Sequence, residues 1–361
     1  EGAVPATPES SGPVVAADWD GDGDTDLFVG GRVVPGAYGV PARSALLRND
    51  GRDGVPRFVD VTRGTAAGLD EAGLVSAARF ADVDGDGDPD LVTVGEWMPV
   101  TVWTNDGGRF APVPIDGTAG VWGGVEAADW DGDGDLDLVA AGWGLNSRLR
   151  ASAAEPMRLL VGDFDGNGQT EPLLSVYNLG RSLPFALRQD LTRQLPVLKR
   201  EYLTHDTYVG QTVEDLLSPE QVARGTEHRA TELASVMIEN EGDGTWTVRR
   251  LPFEAQLAPM AAVLPGDFDG DGRLDVLLAG NRDGVKPDLG RQASSFGVFL
   301  RGDGAGGFSA VSGLSSGFHV PGETRHLVRL GTPSGVMVVA VKNDGPPQVF
   351  SVGGGAALAG R

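Results

Sequence analysis

Five nine-residue segments concentrate the side chains that are able to hold a cation. They run Asp18–Asp26 (DWDGDGDTD), Asp82–Asp90 (DVDGDGDPD), Asp129–Asp137 (DWDGDGDLD), Asp163–Glu171 (DFDGNGQTE) and Asp267–Asp275 (DFDGDGRLD). Position one is Asp18, Asp82, Asp129, Asp163 or Asp267, and position three is Asp20, Asp84, Asp131, Asp165 or Asp269. Position five is Asp22, Asp86, Asp133, Asn167 or Asp271, and position nine is Asp26, Asp90, Asp137, Glu171 or Asp275. All are hard oxygen donors, the set that calcium takes with six to eight ligands. Position seven is Asp24, Asp88, Asp135, Gln169 or Arg273. An arginine cannot ligate a cation through its side chain, so position seven is expected to contribute its backbone carbonyl. Carboxylates packed this closely repel one another by several kcal/mol unless a counter-charge sits among them. The expected cofactor is therefore Ca²⁺, up to five ions. Saturated oxygen cages leave no open coordination position, so a structural role is expected rather than a catalytic one.

The elements around these loops are strands. An EF-hand shares the D-x-D-x-D-G opening but needs a bidentate Glu at position twelve between two helices. Position twelve here is Val29, Thr93, Ala140, Leu174 or Leu278. Short apolar runs precede and follow each loop, for example 14–17 and 27–30, and read as buried strands. Further on come hairpin signals such as Asn49-Asp50-Gly51, Asn105-Asp106-Gly107 and Glu241-Gly242-Asp243-Gly244. Four antiparallel strands per unit, repeated in series, make a propeller blade. The expected fold is an all-β propeller of four-stranded antiparallel blades spanning 1–361 as a single domain.

Repeats begin near Val14, Ala77, Val125, Leu159 and Ala261, and a sixth without an Asp loop begins at Arg325. Six are recognisable and seven are possible. The third repeat, with 163 following 129 so closely, is expected to lack outer strands. Residues 3–7 resemble an extra strand suited to closing the ring. The fourth repeat is too long for one blade, and its excess, 181–232, is expected to be a helical insert. Leu187, Leu191, Leu195, Leu198 and Tyr202 recur at helical spacing, Pro196 should interrupt that run, and Ser218-Pro219-Glu220-Gln221 fits a capping box. The apolar stripe is expected to bury against the propeller mouth. Residues 351–361 read as a Gly/Ala-rich C-terminal tail.

The loop pattern resembles the FG-GAP or VCBS repeats of integrin α-subunit propellers, D-x-D-x-D-G-x-x-D, with Asn167 and Glu171 as the departures in the fourth copy. Segments 95–100 and 191–196 are similar to those of bacterial ASPIC/UnbV-associated proteins, relatives of the cartilage acidic protein group. That resemblance implies an exported or cell-surface protein with bound calcium.

Composition narrows the partners. The formal charge is −22, from 51 acidic and 29 basic residues, which excludes nucleic acid as a partner. There is no cysteine, so neither disulfides nor thiol chemistry is available. No apolar run is long enough to insert into a membrane. His205, His228, His319 and His326 lack metal-site spacing, and nothing in the sequence pairs Glu96, Glu126, Glu239 or Glu241 for glycoside chemistry. Arg301-Gly302-Asp303 falls at a hairpin position and reads as a turn. Strand order places the links between second and third strands on the face away from the Asp loops. That face gathers Arg32, Tyr38, Glu96, Trp97, Trp143, Asn146, Asn281 and Arg282. The expected function is calcium-stabilised binding or scaffolding, without enzymatic activity, with a protein or glycan partner outside the cell or at its envelope. The alternatives are a polysaccharide-processing enzyme and a purely structural domain of a larger surface protein.

Overall fold

Each Asp-rich segment turns the chain between two antiparallel strands, as the flanking apolar runs require. The structure is a computed structural model that describes residues 4–5, 9–52, 54–285, 290–333, 335–343, 345–353 and 356–360. The first blade pairs β1 (Ser10–Ala17), β2 (Asp26–Val33), β3 (Ala45–Asn49) and β4 (Phe58–Asp60) in that order. The second pairs β5 (Leu74–Ala81), β6 (Asp90–Met98), β7 (Thr101–Asn105) and β8 (Phe110–Pro114). The third opens with β9 (Gly120–Ala128) and β10 (Asp137–Gly142).

The chain then leaves the blade. A separate sheet forms from β11 (Met157–Gly162), β12 (Glu171–Asn178), β13 (Arg181–Pro184) and β14 (Thr226–Ala230), in the order β13-β12-β11-β14. The third blade resumes with β15 (Val236–Asn240), which pairs with β10 by setting Leu138 opposite Ile238, and ends with β16 (Trp246–Arg250). The fourth blade is β17 (Met260–Gly266), β18 (Asp275–Gly280), β19 (Val298–Gly302) and β20 (Phe308–Val311). The fifth is β21 (Thr324–Thr332), β22 (Gly335–Lys342), β23 (Gln348–Gly353) and β24 (Ala356–Gly360).

The all-β propeller expectation therefore holds, and six four-stranded sheets stand where six repeats were recognised. Three placements differ from the sequence reading. The fourth repeat is not a member of the blade series but an insertion between the second and third strands of the third blade. The third blade is complete, because its outer strands arrive after the insertion. Residues 351–361 are not simply a tail, since β24 pairs with β23 through backbone hydrogen bonds that need no particular side chains. Of the proposed closing segment 3–7, residues 3, 6 and 7 lie outside the described residues, as do 354, 355 and 361 of the C-terminal segment.

Blades stack face to face, so their middle strands are apolar on both sides. Leu138 and Ala140 of β10 pack toward Val92, Val94 and Val102 of the second blade. The alternate residues Val139 and Ala141 pack toward Val276 and Leu278 of the fourth. Successive first strands β1, β5, β9, β17 and β21 lie side by side. They approach closely because glycine occupies the contact. A Cβ at Gly123 would stand 2.3 Å from the Met260 carbonyl oxygen, and one at Gly12 would stand 2.5 Å from that of Val75.

The inserted sheet is two-faced. Leu160 and Leu173 point to one side, where Leu191, Leu195, Leu198, Tyr202, Val213 and Leu216 of the helical segments cover them. Leu159, Val161, Leu174 and Val176 point to the other, against Trp97, Val121 and Val40 of the propeller. The leucine stripe thus buries on its own sheet rather than on the propeller mouth, and the sheet is what docks. Leu187, expected in the stripe, stays exposed at the start of the helix Arg188–Gln194. The break at Pro196 and the Ser218–Gln221 capping box are both present.

The two ends of the insertion almost touch, since a Cβ at Gly142 would lie 2.5 Å from the Ala234 carbonyl oxygen. Replacing 145–232 by a short Gly-Ser linker should therefore leave a cooperatively folding propeller, as checked by circular dichroism melting. Loss of the cooperative transition would show that the inserted layer belongs to the propeller core.

Candidate functional site

The loops shape themselves through their own carboxylates. The amide of each position-five residue donates to the position-three carboxylate, as Asp22 N does to Asp20 Oδ1 at 3.3 Å. The amide at position seven donates to position five, at 2.9 Å from Asp24 N to Asp22 Oδ1 and from Arg273 N to Asp271 Oδ1. The Gly at position six donates to position one in four copies, as Gly87 N does to Asp82 Oδ2 at 3.1 Å. Glycine is required at positions four and six because φ there lies between 72° and 102°.

Position nine does more than offer an oxygen. Asp26, Asp90, Asp137 and Asp275 are fully buried. Asp90 Oδ2 accepts the amides of Val83 and Asp84 at 2.8 and 3.2 Å, while Oδ1 accepts that of Asn105 at 2.8 Å. Asp137 makes the same bridge from Trp130 N to Asn240 N, and Asp275 from Phe268 N to Gly302 N. These three carboxylates thereby tie the start of the loop to the end of the third strand, and Asp26 Oδ1 accepts the corresponding third-strand amide of Asn49 at 2.7 Å. Burial pushes Asp26, Asp90 and Asp137 up to about 6 despite these bonds. Glu171 and Asp275 are raised as well, again by burial first.

The donor sets fit a divalent cation. Ligand atoms of Asp18, Asp20 and Asp22, of Asp82, Asp84 and Asp86, and of Asp267, Asp269 and Asp271 lie within 4.8 Å of one another. In the third and fourth loops the clustered sets are Asp129, Asp131 and Asp137, and Asp163, Asp165 and Glu171. Asp18 Oδ1, Asp82 Oδ1 and Asp26 Oδ2 are buried without a hydrogen-bond partner, which an ion would supply. No position-seven side chain joins these clusters among the described residues. Asp88 instead accepts the Gly107 amide at 3.0 Å, and Arg273 lies against Gly304 of the adjoining hairpin. These residues would hold the cation, and the cation would neutralise their mutual repulsion. Arg301 is engaged with Asp269 at 2.5 Å and Asp303 accepts the amides of Ala305 and Gly307, so Arg301–Asp303 serves the hairpin.

Away from the loops, the five first strands line a cavity of about 520 Å³. At its mouth the residues expected to share a face do meet. Glu96, 4% exposed, binds Arg32 at 2.5 Å, Arg282 at 3.3 Å and the Tyr38 hydroxyl at 2.5 Å. Trp97 donates its indole N–H to the Tyr38 oxygen at 2.8 Å, and the Arg282 guanidinium lies 5.4 Å from the Trp143 ring centre. Burial pushes the Glu96 carboxyl up, but Arg32 and Arg282 outweigh it and hold it below the usual range. Tyr38 is raised by burial and by Glu96, so it remains a proton donor. Asn281 is buried beside them, whereas Asn146 stands apart, donating to the Leu257 carbonyl.

Arg79 and Glu126 were not grouped by the sequence reading. Each lies three residues before its Asp loop, on neighbouring first strands, and they pair at 3.3 Å inside the cavity. The signal was available, because that repeat position holds Val15, Arg79, Glu126 and Leu264 in the four blades with Asp loops.

A family model described as an FG-GAP-like repeat matches residues 18–93 and 82–140, within the first three blades. No curated protein matches in sequence. Two solved structures are similar over nearly the whole chain. The biofilm matrix protein Bap1 of V. cholerae is 14% identical over 98% of this chain, with a TM-score of 0.30. The chain spans about half, 53%, of its length. The six-bladed fucose-binding Aleuria aurantia lectin is 11% identical over 99% of this chain and 96% of its own, with a TM-score of 0.27. Those superpositions are loose, and the fold rests on the strand pairing described above.

Two substitutions should separate the clamp from the ligands. Asp90→Ala strips three amides of their acceptor, two of them buried, and should cost about 3 kcal/mol even in excess chelator. Asp86→Ala should barely move the chelated melting curve yet lower calcium affinity in calorimetry. Equal behaviour of the two variants would refute the division. In the first loop, Asp22→Ala should weaken binding strongly and Asp24→Ala hardly at all, and equal losses would place the position-seven side chain among the ligands.

Proposed function

We propose that the protein is a calcium-stabilised recognition module, exported to the cell surface or beyond, whose binding face is the channel mouth away from the blades' Asp loops. The observation that carries this reading is the network of Arg32, Arg282, Tyr38 and Trp97 around the buried Glu96 at the cavity mouth. Rigid blades hold such a face in place while its loops supply the chemistry. Segment 95–100, which carries the ASPIC/UnbV resemblance, contributes both Glu96 and Trp97, and membership of that group is part of the proposal. No helix among the described residues is long and apolar enough to cross a membrane.

A protein or a glycan is the partner this reading calls for. The hydrolase alternative needs two free carboxylates about 5–9.5 Å apart. Glu96 is opposite Val121, and Glu126 lies five residues further along β9, about 16 Å at roughly 3.3 Å per residue. Both glutamates are committed to arginines. The geometry therefore favours binding over bond cleavage.

Calcium at 100 times its dissociation constant should add about 2.7 kcal/mol per site, so chelation should lower the melting temperature clearly. On glycan and protein arrays the calcium-loaded chain should retain a ligand that Trp143→Ala or Tyr38→Phe loses at least tenfold. An unchanged melting curve in chelator would sink the calcium part. Array binding indifferent to both mouth variants would sink the assignment of the face.

A further inference from the structure

The cavity has a charge opposite to that of the protein around it. Four arginines line it, Arg32, Arg79, Arg282 and Arg325, against only two glutamates, Glu96 and Glu126, in a chain of formal charge −22. Arg79 is balanced by Glu126, and Arg325 by Glu323. At the mouth, however, Arg32 and Arg282 share the single carboxylate of Glu96, whose second oxygen is taken by Tyr38. Among the described residues one guanidinium charge there has no counter-ion, and five N–H donors per arginine exceed what one shared oxygen accepts. Charge left uncompensated in a partly desolvated site is costly. The Arg282 side chain is 38% exposed, so its remaining donors are open to the cavity.

The surrounding backbone is held in an unfavourable shape. Trp97 and Asn281, which directly precedes Arg282, have φ of 65° and 78°, values that non-glycine residues rarely adopt. Such strain persists where the fold over-determines it and clusters at ligand sites. Trp143, half-buried and also lining the cavity, carries the Arg282 guanidinium over its ring and so holds that fork in place. The volume, about 520 Å³, lies in the range of small-ligand pockets.

Resting on the recognition reading, and narrowing it, the geometry points to a carboxylated sugar as the ligand of this cavity. The carboxylate would meet the planar forks of Arg282 and Arg32, which match it bidentately, and would supply the missing counter-charge. The ring would lie beside Trp143, whose indole already carries Arg282, and its hydroxyls would reach Glu126 and His326 deeper in the cavity. A neutral sugar makes those ring and hydroxyl contacts but leaves the surplus guanidinium unpaired.

The test is calorimetric titration of the calcium-loaded full chain with digalacturonate, with the neutral galactose dimer and with inorganic phosphate. The expected result is binding of digalacturonate at least tenfold tighter than the neutral dimer. Arg282→Ala should abolish that preference. Arg282→Lys keeps a charge beside Glu96 but loses the fork, so it guards against a folding failure and should still lose most of the preference. Equal affinity for acidic and neutral dimers, binding of phosphate without digalacturonate, or a preference unchanged in the Lys variant would each overturn the inference. If neutral glycans or proteins bind at the mouth while acidic sugars do not, this inference fails and the broader recognition reading stands. If arrays find nothing that depends on the mouth residues, the broader reading fails with it.

Discussion

A buried carboxylate at the ninth loop position holds together the blades that carry an Asp loop. Asp90, Asp137 and Asp275 bridge the beginning of a loop to the end of a third strand, so three elements converge on one side chain. The bond is demanding, because a carboxylate without water must have its lone pairs occupied. It explains why the loop is glycine-rich: only a chain that turns twice through positive φ returns an amide to within reach. It also explains why each third strand ends where it does. Asn105 and Asn240 give their backbone amides to the clamp and their side-chain amides to the carbonyls of Trp19 and Val83 in the preceding blade. One carboxylate thus sets blade geometry, and the asparagine it fixes sets blade spacing.

The loops and the cavity divide the molecule electrically. Acid is gathered at the ends of the first strands, where clustered Asp oxygens invite a cation. Basic groups are gathered along the axis, where arginines from separate blades face one another around Glu96 and Glu126. The two regions are not alternatives for one ligand. A divalent ion among the loops would stiffen the strands that hold the arginines and so preorganise the axis site. Residues of the cavity are far apart in the chain: Arg32, Glu96 and Arg282 come from the first, second and fourth blades. Any loosening of the clamps therefore reaches the mouth directly.

The inserted layer adds a second scale of organisation. Its sheet begins like a blade, with an Asp loop between β11 and β12, but β14 returns to the free edge of β11 rather than continuing outward. Helices then cover one face and the propeller covers the other. A repeat unit has been turned into a cover for part of the mouth, next to Trp97 and Trp143. Its Asp loop has Asp163, Asp165 and Glu171 but Asn167 where the other copies have Asp and Gln169 where three of them do, so it holds three acids against four or five elsewhere.

What the sequence determined by itself was everything local and periodic. The Asp loops, the strands on either side, the hairpin turns, the Pro196 break and the Ser218 capping box all follow from residues within about ten positions of one another. The gathering of Arg32, Tyr38, Glu96, Trp97, Trp143 and Arg282 on one face followed from strand parity alone. Tertiary structure decided which strand follows which in space. Val236–Asn240 continues β10 across an insertion rather than β12, because β10 is apolar on both faces: Val236 and Ile238 join Leu138 and Ala140 on one, and Met237 joins Val139 and Ala141 on the other. Apolar strands of similar length carry no label for their partner. Pairing is chosen by burial of whole faces, and burial is a property of the assembled blades. For the same reason Arg79 and Glu126, ordinary charged residues in a strand, became an axial ion pair only when five first strands were brought around a common cavity.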